Sequence, residues 1–377
     1  MHARTEGWLT SIAYVIHRAL PKREVAVLHG TPDYEDNVLA LENGLRKTRI
    51  KKTIILLSSP ARPRAEQLGP RTFMVRKKSL RGILHFLTAR YVFFTHSCYT
   101  QRFPPSVVSV NVWHGMPVKR VGWMTEAGNL LPVTQYALAT SPLWADIVQE
   151  SLRPVAGTLV TGLPRNDRLL LGDVGVPARL GYAPGACLML ITWLPTYRHD
   201  FGGPKGALRC THTLGVPADS LEQLNGLLER YRAVCVVKPH PMAAREGTPE
   251  FSRLRFITDD WLHQQGLTLY ELLGASDALV TDVSSVYVDY LILDRPIVHH
   301  FPDIREYESF RGFSLGPIDD YLAGPITRDS DELLAAVSAV LQGEDTHAGT
   351  RRRVASLFHT HSDGAATERL IDRLGLA

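Results

Sequence analysis

The sequence predicts an α/β protein built as two doubly wound domains, and three observations carry that prediction. The chain has 377 residues, more than one compact core accommodates and enough for two domains of roughly 150–200 residues each. Short apolar runs alternate with helix-length segments through both halves, the pattern of parallel strands joined by crossover helices. Between the halves, Gly172 to Gly185 holds four glycines and two prolines with little periodicity, as a linker does.

In the first half, Glu24 to His29 is a short apolar run after a basic turn, Asn37 to Leu45 has helical spacing, and Thr53 to Leu57 is strand-like. Tyr91 to Phe94, Ser106 to Val112, Ala137 to Thr140 and Thr158 to Thr161 are further strand candidates. In the second half the strand candidates are Cys187 to Trp193, Ala233 to Lys238, Leu254 to Ile257, Ala278 to Thr281 and Pro296 to Phe301. Helices fit best at Leu221 to Arg230, Tyr270 to Ala275 and Ser285 to Leu293. The expected division is a first domain over 1–170, a linker over 171–185, a second domain over 186–345 and a C-terminal helical segment over 346–377. Open α/β sheets bind ligands outside the carboxyl ends of their strands, so two such domains facing each other would place a site in the cleft between them.

Composition excludes several classes. With 45% hydrophobic and 21% charged residues the chain reads as an ordinary globular protein, neither disordered nor fibrous. Cys98, Cys187, Cys210 and Cys235 form no CxxC pair, which leaves reduced thiols as the expectation. No apolar run is long enough to span a bilayer and the N-terminus lacks the order of a signal peptide, so a cytoplasmic location is expected. Residues 1–120 carry 20 Lys and Arg against 7 Asp and Glu, a net charge of +13, and the remainder carries 22 against 31, or −9. Runs such as Arg46 to Lys52 and Arg76-Lys77-Lys78 suit either a solvated face or contact with anionic lipid, a phosphate-rich polymer or nucleic acid. Trp8, Leu9, Ile12, Val15, Ile16 and Leu20 have helical spacing and describe either a core-packing helix or one lying in a membrane interface.

Four polar clusters follow predicted strands, where a doubly wound fold puts its functional loops. In Asn111 to Lys119, His114 follows an apolar run and precedes a Gly and a Pro that force a turn; a neutral imidazole there could take a proton from a hydroxyl, or serve only as a hydrogen-bonded structural group. In Val236 to Pro241, His240 sits between two prolines that limit its wandering, suiting a donor to a phosphate oxygen or a leaving group, or simply a rigid turn. Ala278 to Ser285 runs from a strand through Thr281, Asp282, Ser284 and Ser285 into a helix start. Asp282 or Ser284 could cap that start, and its exposed N–H groups suit a phosphate. Thr196 and Arg198, in Trp193 to Arg198, offer a hydroxyl and a guanidinium at another strand end. His359 with His361, His299 with His300, and His199 with Asp200 lack the context of metal ligands, and no Walker A loop, GxGxxG or GxSxG appears.

Taken in order, these clusters resemble the CDP-glycerol glycerophosphotransferase family, the primases and polymerases of teichoic acid and related capsule polymers. The resemblance rests on His29-Gly30 with Tyr34-Glu35-Asp36-Asn37, on Trp113 to Lys119, on Gly162-Leu163-Pro164-Arg165-Asn166-Asp167, on Pro195 to Arg198, on His240-Pro241, on Thr281 to Ser285, and on Asp294-Arg295-Pro296 through Arg311-Gly312-Phe313. It implies a GT-B fold, with His114 as base and His240 acting with it at the reaction centre. It implies that His240, Ser284 and Ser285 hold a CDP pyrophosphate, with Thr196, Arg198, Thr281 and Asp282 on the same donor side and Trp113, Gly115, Lys119, Arg165 and Asn166 on the acceptor side. The implied donor is a CDP-alditol, CDP-glycerol ahead of CDP-ribitol, with no cofactor or metal. The implied acceptor is a lipid-linked or polymeric hydroxyl, with peripheral contact between the basic first third and the inner face of the cell membrane and no nucleic-acid partner. Met116 stands where the family more often has Thr, and Val283 where it usually has Tyr. A CMP-sugar-dependent GT-B glycosyltransferase of sialyltransferase type and a non-catalytic binder of anionic polymer are the alternatives.

Overall fold

Residues that are apolar on consecutive positions form strands buried on both faces, and a computed structural model of the chain shows thirteen strands in two parallel sheets among its described residues. It describes residues 14–58, 68–125, 131–172, 175–195, 214, 216–239 and 250–377. The chain folds as two units, Met1–Arg168 with Phe358–Ala377, and Leu169–Leu357.

The first unit holds β1 (Arg23–His29), β2 (Lys52–Leu57), β3 (Thr72–Arg76), β4 (Ala89–Phe94), β5 (Val108–Asn111), β6 (Tyr136–Ala139) and β7 (Gly157–Val160). They pair in the order β3-β2-β1-β4-β5-β6-β7, all parallel. Every strand expected from the sequence is present within a residue or two of its expected ends. The exception in the other direction is β3, a sheet-edge strand on which only Val75 is buried, so it carries no apolar run to announce it. Val25, Val27, Ile54, Leu56, Val92 and Phe94 form one core with Phe86 of the helix Leu80–Thr88.

The second unit holds β8 (Met189–Leu194), β9 (Ala233–Val237), β10 (Leu254–Phe256), β11 (Ala278–Thr281), β12 (Ile297–His300) and β13 (Ile326–Thr327) in the order β10-β9-β8-β11-β12-β13, again parallel. Strand β9 shows why these runs are uninterrupted by polar residues: Ala233, Cys235 and Val237 face one core while Val234 and Val236 face the other. The two-residue β13 is too short to leave a signal in the sequence.

Two boundaries differ from expectation. Within 171–185, Val176–Arg179 is a short helix whose Val176 joins Leu180 in the core of the second unit, so part of the expected linker packs as domain. The expected C-terminal segment 346–377 divides: its last twenty residues belong to the first unit. Phe358 packs on Trp144 at 4.9 Å, the Thr140 hydroxyl donates to the Phe358 carbonyl at 2.6 Å, and the Asp167 carboxylate accepts the Ala366 and Thr367 N–H groups, both at 2.8 Å. Sequence distance conceals such returns, because the partners lie about 200 residues apart. The N-terminal positions Trp8, Leu9 and Ile12 lie outside the described residues.

Candidate active site

Both sheets reverse their strand order at one place, between β1 and β4 in the first unit and between β8 and β11 in the second, and ligands bind outside the carboxyl ends of strands at such switch points. In the first unit those ends are His29-Gly30 and Thr95-His96, with the loop of His114 next to them after β5. A side chain on Gly30 would place Cβ 2.7 Å from both the Pro32 carbonyl oxygen and Val38 Cγ2, so the turn after β1 closes only around glycine. Lys77 donates to the Gly30 carbonyl and to Asp33 Oδ1, each at 2.8 Å, fixing that turn from just past β3.

His114 is aimed by the residues around it. Asn111 Oδ1, at the end of β5, accepts the Trp113 N–H at 3.0 Å, and Trp113 takes φ +53°, a left-handed conformation uncommon outside glycine. Asn37, wholly buried at the start of the helix Asp36–Leu45, donates to the Trp113 carbonyl at 3.3 Å and to Glu35 Oε2 at 3.0 Å, and its Oδ1 accepts the Arg165 N–H at 3.1 Å. One amide therefore joins three loops: the one after β1, the one carrying His114 and the one carrying Arg165. His114 Nδ1 lies 3.4 Å from the Thr95 carbonyl oxygen, to which it donates, leaving Nε2 as an acceptor.

The electrostatics keep this imidazole neutral. Burial first, then His96 and Arg165, lower His114 to about 3, with the Thr95 hydrogen bond opposing. Burial, then Lys77 and Arg165, lower His96, and burial chiefly lowers His29 to about 4. Glu35 is pushed up to about 8, by burial first and by Asp36, with Arg165 opposing. It caps the helix Asp36–Leu45 by accepting the Val38 N–H at 3.2 Å. Arg165 and Asn166 are buried, and neither side-chain polar atom of Asn166 has a partner among the described residues. Gly115 takes φ +127°, and Lys119 is half-buried further along the same loop.

In the second unit Thr281 ends β11 and its hydroxyl donates to the Leu194 carbonyl at 3.0 Å, tying the two switch-point strands together. The buried His299 donates from Nδ1 to the Asp282 carbonyl at 3.1 Å and accepts the Ala323 N–H at Nε2 at 3.2 Å. Burial lowers it to about 4, so it is a neutral strut holding the loop. Ser284 occupies the N-cap position of the helix Ser285–Tyr290 with extended backbone, yet its own side chain makes no capping bond, contrary to the capping role expected of it. The hydroxyls of Ser284 and Ser285, both half-buried, make no hydrogen bond among the described residues and stand beside the N–H groups of that first turn.

The structure thus gathers Trp113, His114, Gly115, Arg165 and Asn166 in the first unit and Thr281, Asp282, Ser284 and Ser285 in the second. Thr196, Arg198 and His240, with His199 and Asp200, lie outside the described residues. Sequence reasoning missed His96 and the roles of Glu35, Asn37 and Lys77. His96 has the same signature as His114, a histidine just beyond a buried strand, and could have been found by it.

Comparison with known proteins points in one direction. A family model described as CDP-glycerol:poly(glycerophosphate) glycerophosphotransferase matches residues 12–376. The teichoic acid ribitol-phosphate primase of Bacillus spizizenii is 33% identical over 159 residues, covering 41% of this chain and 38% of that protein. The teichoic acid glycerol-phosphate transferase of Staphylococcus aureus is 25% identical over 292 residues, covering 71% and 70%. The solved wall teichoic acid polymerase TagF has the same GT-B fold, with a TM-score of 0.72 at 19% identity over 94% of this chain and 89% of that one.

Proposed function

Because the chain belongs to the CDP-glycerol:poly(glycerophosphate) glycerophosphotransferase family, we propose that it transfers a polyol phosphate from a CDP-alditol to a hydroxyl of a lipid-linked or polymeric acceptor in teichoic-acid-like polymer synthesis. The acceptor oxygen attacks the outer phosphorus of the donor, the bond to the bridging oxygen breaks, CMP leaves, and the hydroxyl proton passes to His114 Nε2. The observation that carries this reading is the neutral His114, fixed through Nδ1 with Nε2 left as acceptor at the carboxyl end of a parallel sheet. Near 3 in the free protein, that imidazole is a weak base; the negative charge of a bound donor raises its affinity for a proton. Ser284, Ser285 and the N–H groups of the turn they begin supply donors for the pyrophosphate, joined in this reading by His240, Thr196 and Arg198. Arg165 and Asn166 serve the acceptor side. The step as written uses no metal or other cofactor, so turnover persisting in EDTA is expected.

The test is CMP release by the purified protein with CDP-glycerol and CDP-ribitol, after ranking donors by thermal shift against CMP-sialic acid. His114→Ala lowers turnover about 10²–10⁴-fold while donor binding survives. Absence of CMP release with either donor and a competent acceptor, or a product without phosphodiester linkages, would sink the reading.

We also propose that the first unit docks on an anionic membrane at the cytoplasmic face. From Gln67 to Thr125 the chain has no acidic residue but nine Lys and Arg. The helix Leu80–Thr88 exposes Leu80, Ile83 and Leu84 beside the exposed Phe73, and Lys52, Arg81 and Arg23 lie close enough to His85 to lower its pKa, after burial. An apolar strip with a cationic rim suits lipid headgroups over acyl chains. Among the described residues no helix is long and apolar enough to cross a membrane. Co-sedimentation with phosphatidylglycerol vesicles, lost in Leu80→Ser/Leu84→Ser and absent with phosphatidylcholine, is the expected result; equal sedimentation of the variant refutes this surface.

A further inference from the structure

His96 lies two residues beyond the end of β4, and its imidazole is stacked on that of His114 with ring centroids 4.0 Å apart and planes within 9°. Trp113, by contrast, meets His114 at 4.3 Å with a 35° tilt. Both imidazoles meet Thr95, whose carbonyl accepts from His114 Nδ1 and whose hydroxyl lies 3.0 Å from His96 Nδ1. The same hydroxyl oxygen accepts the Thr31 N–H at 3.1 Å, which ties Thr95 to the turn after β1. His114 donates from Nδ1 to the Thr95 carbonyl. The pair is two neutral rings face to face, each locked to a different atom of one residue.

We propose that His96 is a positioning residue for His114: the stack fixes the plane of the base imidazole, so that Nδ1 stays on the Thr95 carbonyl and Nε2 stays open. The inference rests on the reading of His114 as the base. A hydrogen bond of 3.4 Å is long, and imidazole rotation about its last torsion has broad minima, so the bond to Thr95 alone leaves the ring free to turn. A parallel ring at 4.0 Å removes that freedom, because turning His114 drives its edge into the face of His96. Arg165 disfavours a proton on both rings and Lys77 a proton on His96, which leaves the two neutral rings free to stack.

The experiment combines steady-state CMP release with histidine ¹⁵N NMR of the full chain, for His96→Ala, His96→Phe and His114→Ala. His96→Ala is expected to lower kcat about tenfold or more with KM for the donor unchanged, and to turn the single Nδ1–H tautomer of His114 into a mixture. His96→Phe, which keeps a ring in the stack, is expected to retain kcat within about threefold and to preserve the tautomer. Unchanged kcat and tautomer in His96→Ala overturn the proposal. So does an equal loss in the Ala and Phe variants, which would make the His96 N–H a group that itself touches substrate. If His114→Ala keeps full turnover, the base reading fails, while the tautomer signal still reports whether the stack fixes the ring.

Discussion

The two switch points are alike in topology and opposite in wiring. In the first unit the groups that aim His114 are tied together: Asn37 joins the segments after β1, around Trp113 and at Arg165, Thr95 meets two imidazoles, and Lys77 closes the turn after β1. In the second, Thr281 and His299 hold the loop from behind, while the hydroxyls of Ser284 and Ser285 in front make no bond among the described residues. On the proposed reading His114 is a base, which must be aimed before the reaction begins because small errors in its direction cost rate, so its surroundings are preorganised. A phosphate site supplies donors that the ligand itself satisfies, so those donors are left unengaged until it arrives.

The sharpest way to break this comparison is to cut the wiring. Asn37→Ala removes the amide that serves the Glu35 carboxyl, the Trp113 carbonyl and the Arg165 N–H, and leaves the latter two buried without that partner. A loss of roughly 2–4 kcal/mol in unfolding free energy is expected. Turnover should fall at least about tenfold, since the His114 loop loses its register. Urea denaturation read beside CMP release checks both. A variant as stable as the parent would show that the three loops hold their places without Asn37.

The difference between the units also explains what was legible in the sequence. The sheets were readable because strands such as Ala233–Val237 are buried on both faces and leave no polar interruption. The places of His114, Thr281, Ser284 and Ser285 were readable because they lie at or just past the ends of such strands. The wiring was not: Asn37 and Arg165 are 128 residues apart, and Asp167 reaches the helix Ala366–Arg373. A hydrogen bond across that distance leaves no periodicity. Edge strand β3 was hidden for a different reason, its half-exposed face; His96 carried the same strand-end signature as His114, and only the stack of one ring on the other left no trace in the sequence.

A smaller effect is expected at the second switch point. Ser284→Ala and Ser285→Ala each remove a hydroxyl with no partner among the described residues, so the melting temperature of the free protein should stay within about 2 °C of the parent. Calorimetric affinity for a CDP-alditol should nevertheless weaken roughly tenfold for each, the equivalent of one hydrogen bond to a charged group. The two sets of variants then separate cleanly: a stability cost without ligand for Asn37→Ala in the first unit, and an affinity cost without stability loss for the serines in the second. Serine variants that melt early and bind normally would reverse the assignment.

The last and smallest effect is a pH dependence that the two units do not share. His17, His29 and His114 of the first unit are lowered to about 4, about 4 and about 3, chiefly by burial, and His299 of the second unit is lowered to about 4, also chiefly by burial. A histidine lowered in the folded state binds fewer protons there than when unfolded, so its contribution to stability falls as pH drops from 6.5 toward 4. Glu35 works the other way. Raised to about 8 from 4.5, it binds more protons folded than unfolded, and its contribution falls as pH rises through that window. Between 4.5 and 6.5 four histidines outweigh one carboxyl, and between 6.5 and 8 Glu35 acts against little opposition, so stability from these groups peaks near pH 6.5. Glu35→Gln should flatten the decline from 6.5 to 8 and steepen the acid limb between 4.5 and 6.5, where Glu35 opposes the histidines. Acid unfolding followed by fluorescence of two single-tryptophan variants, one keeping Trp144 in the first unit and one keeping Trp193 in the second, should show the first unit losing structure at the higher pH. Simultaneous loss in both, or an earlier loss around Trp193, would place the acid-sensitive groups on the wrong side of the comparison.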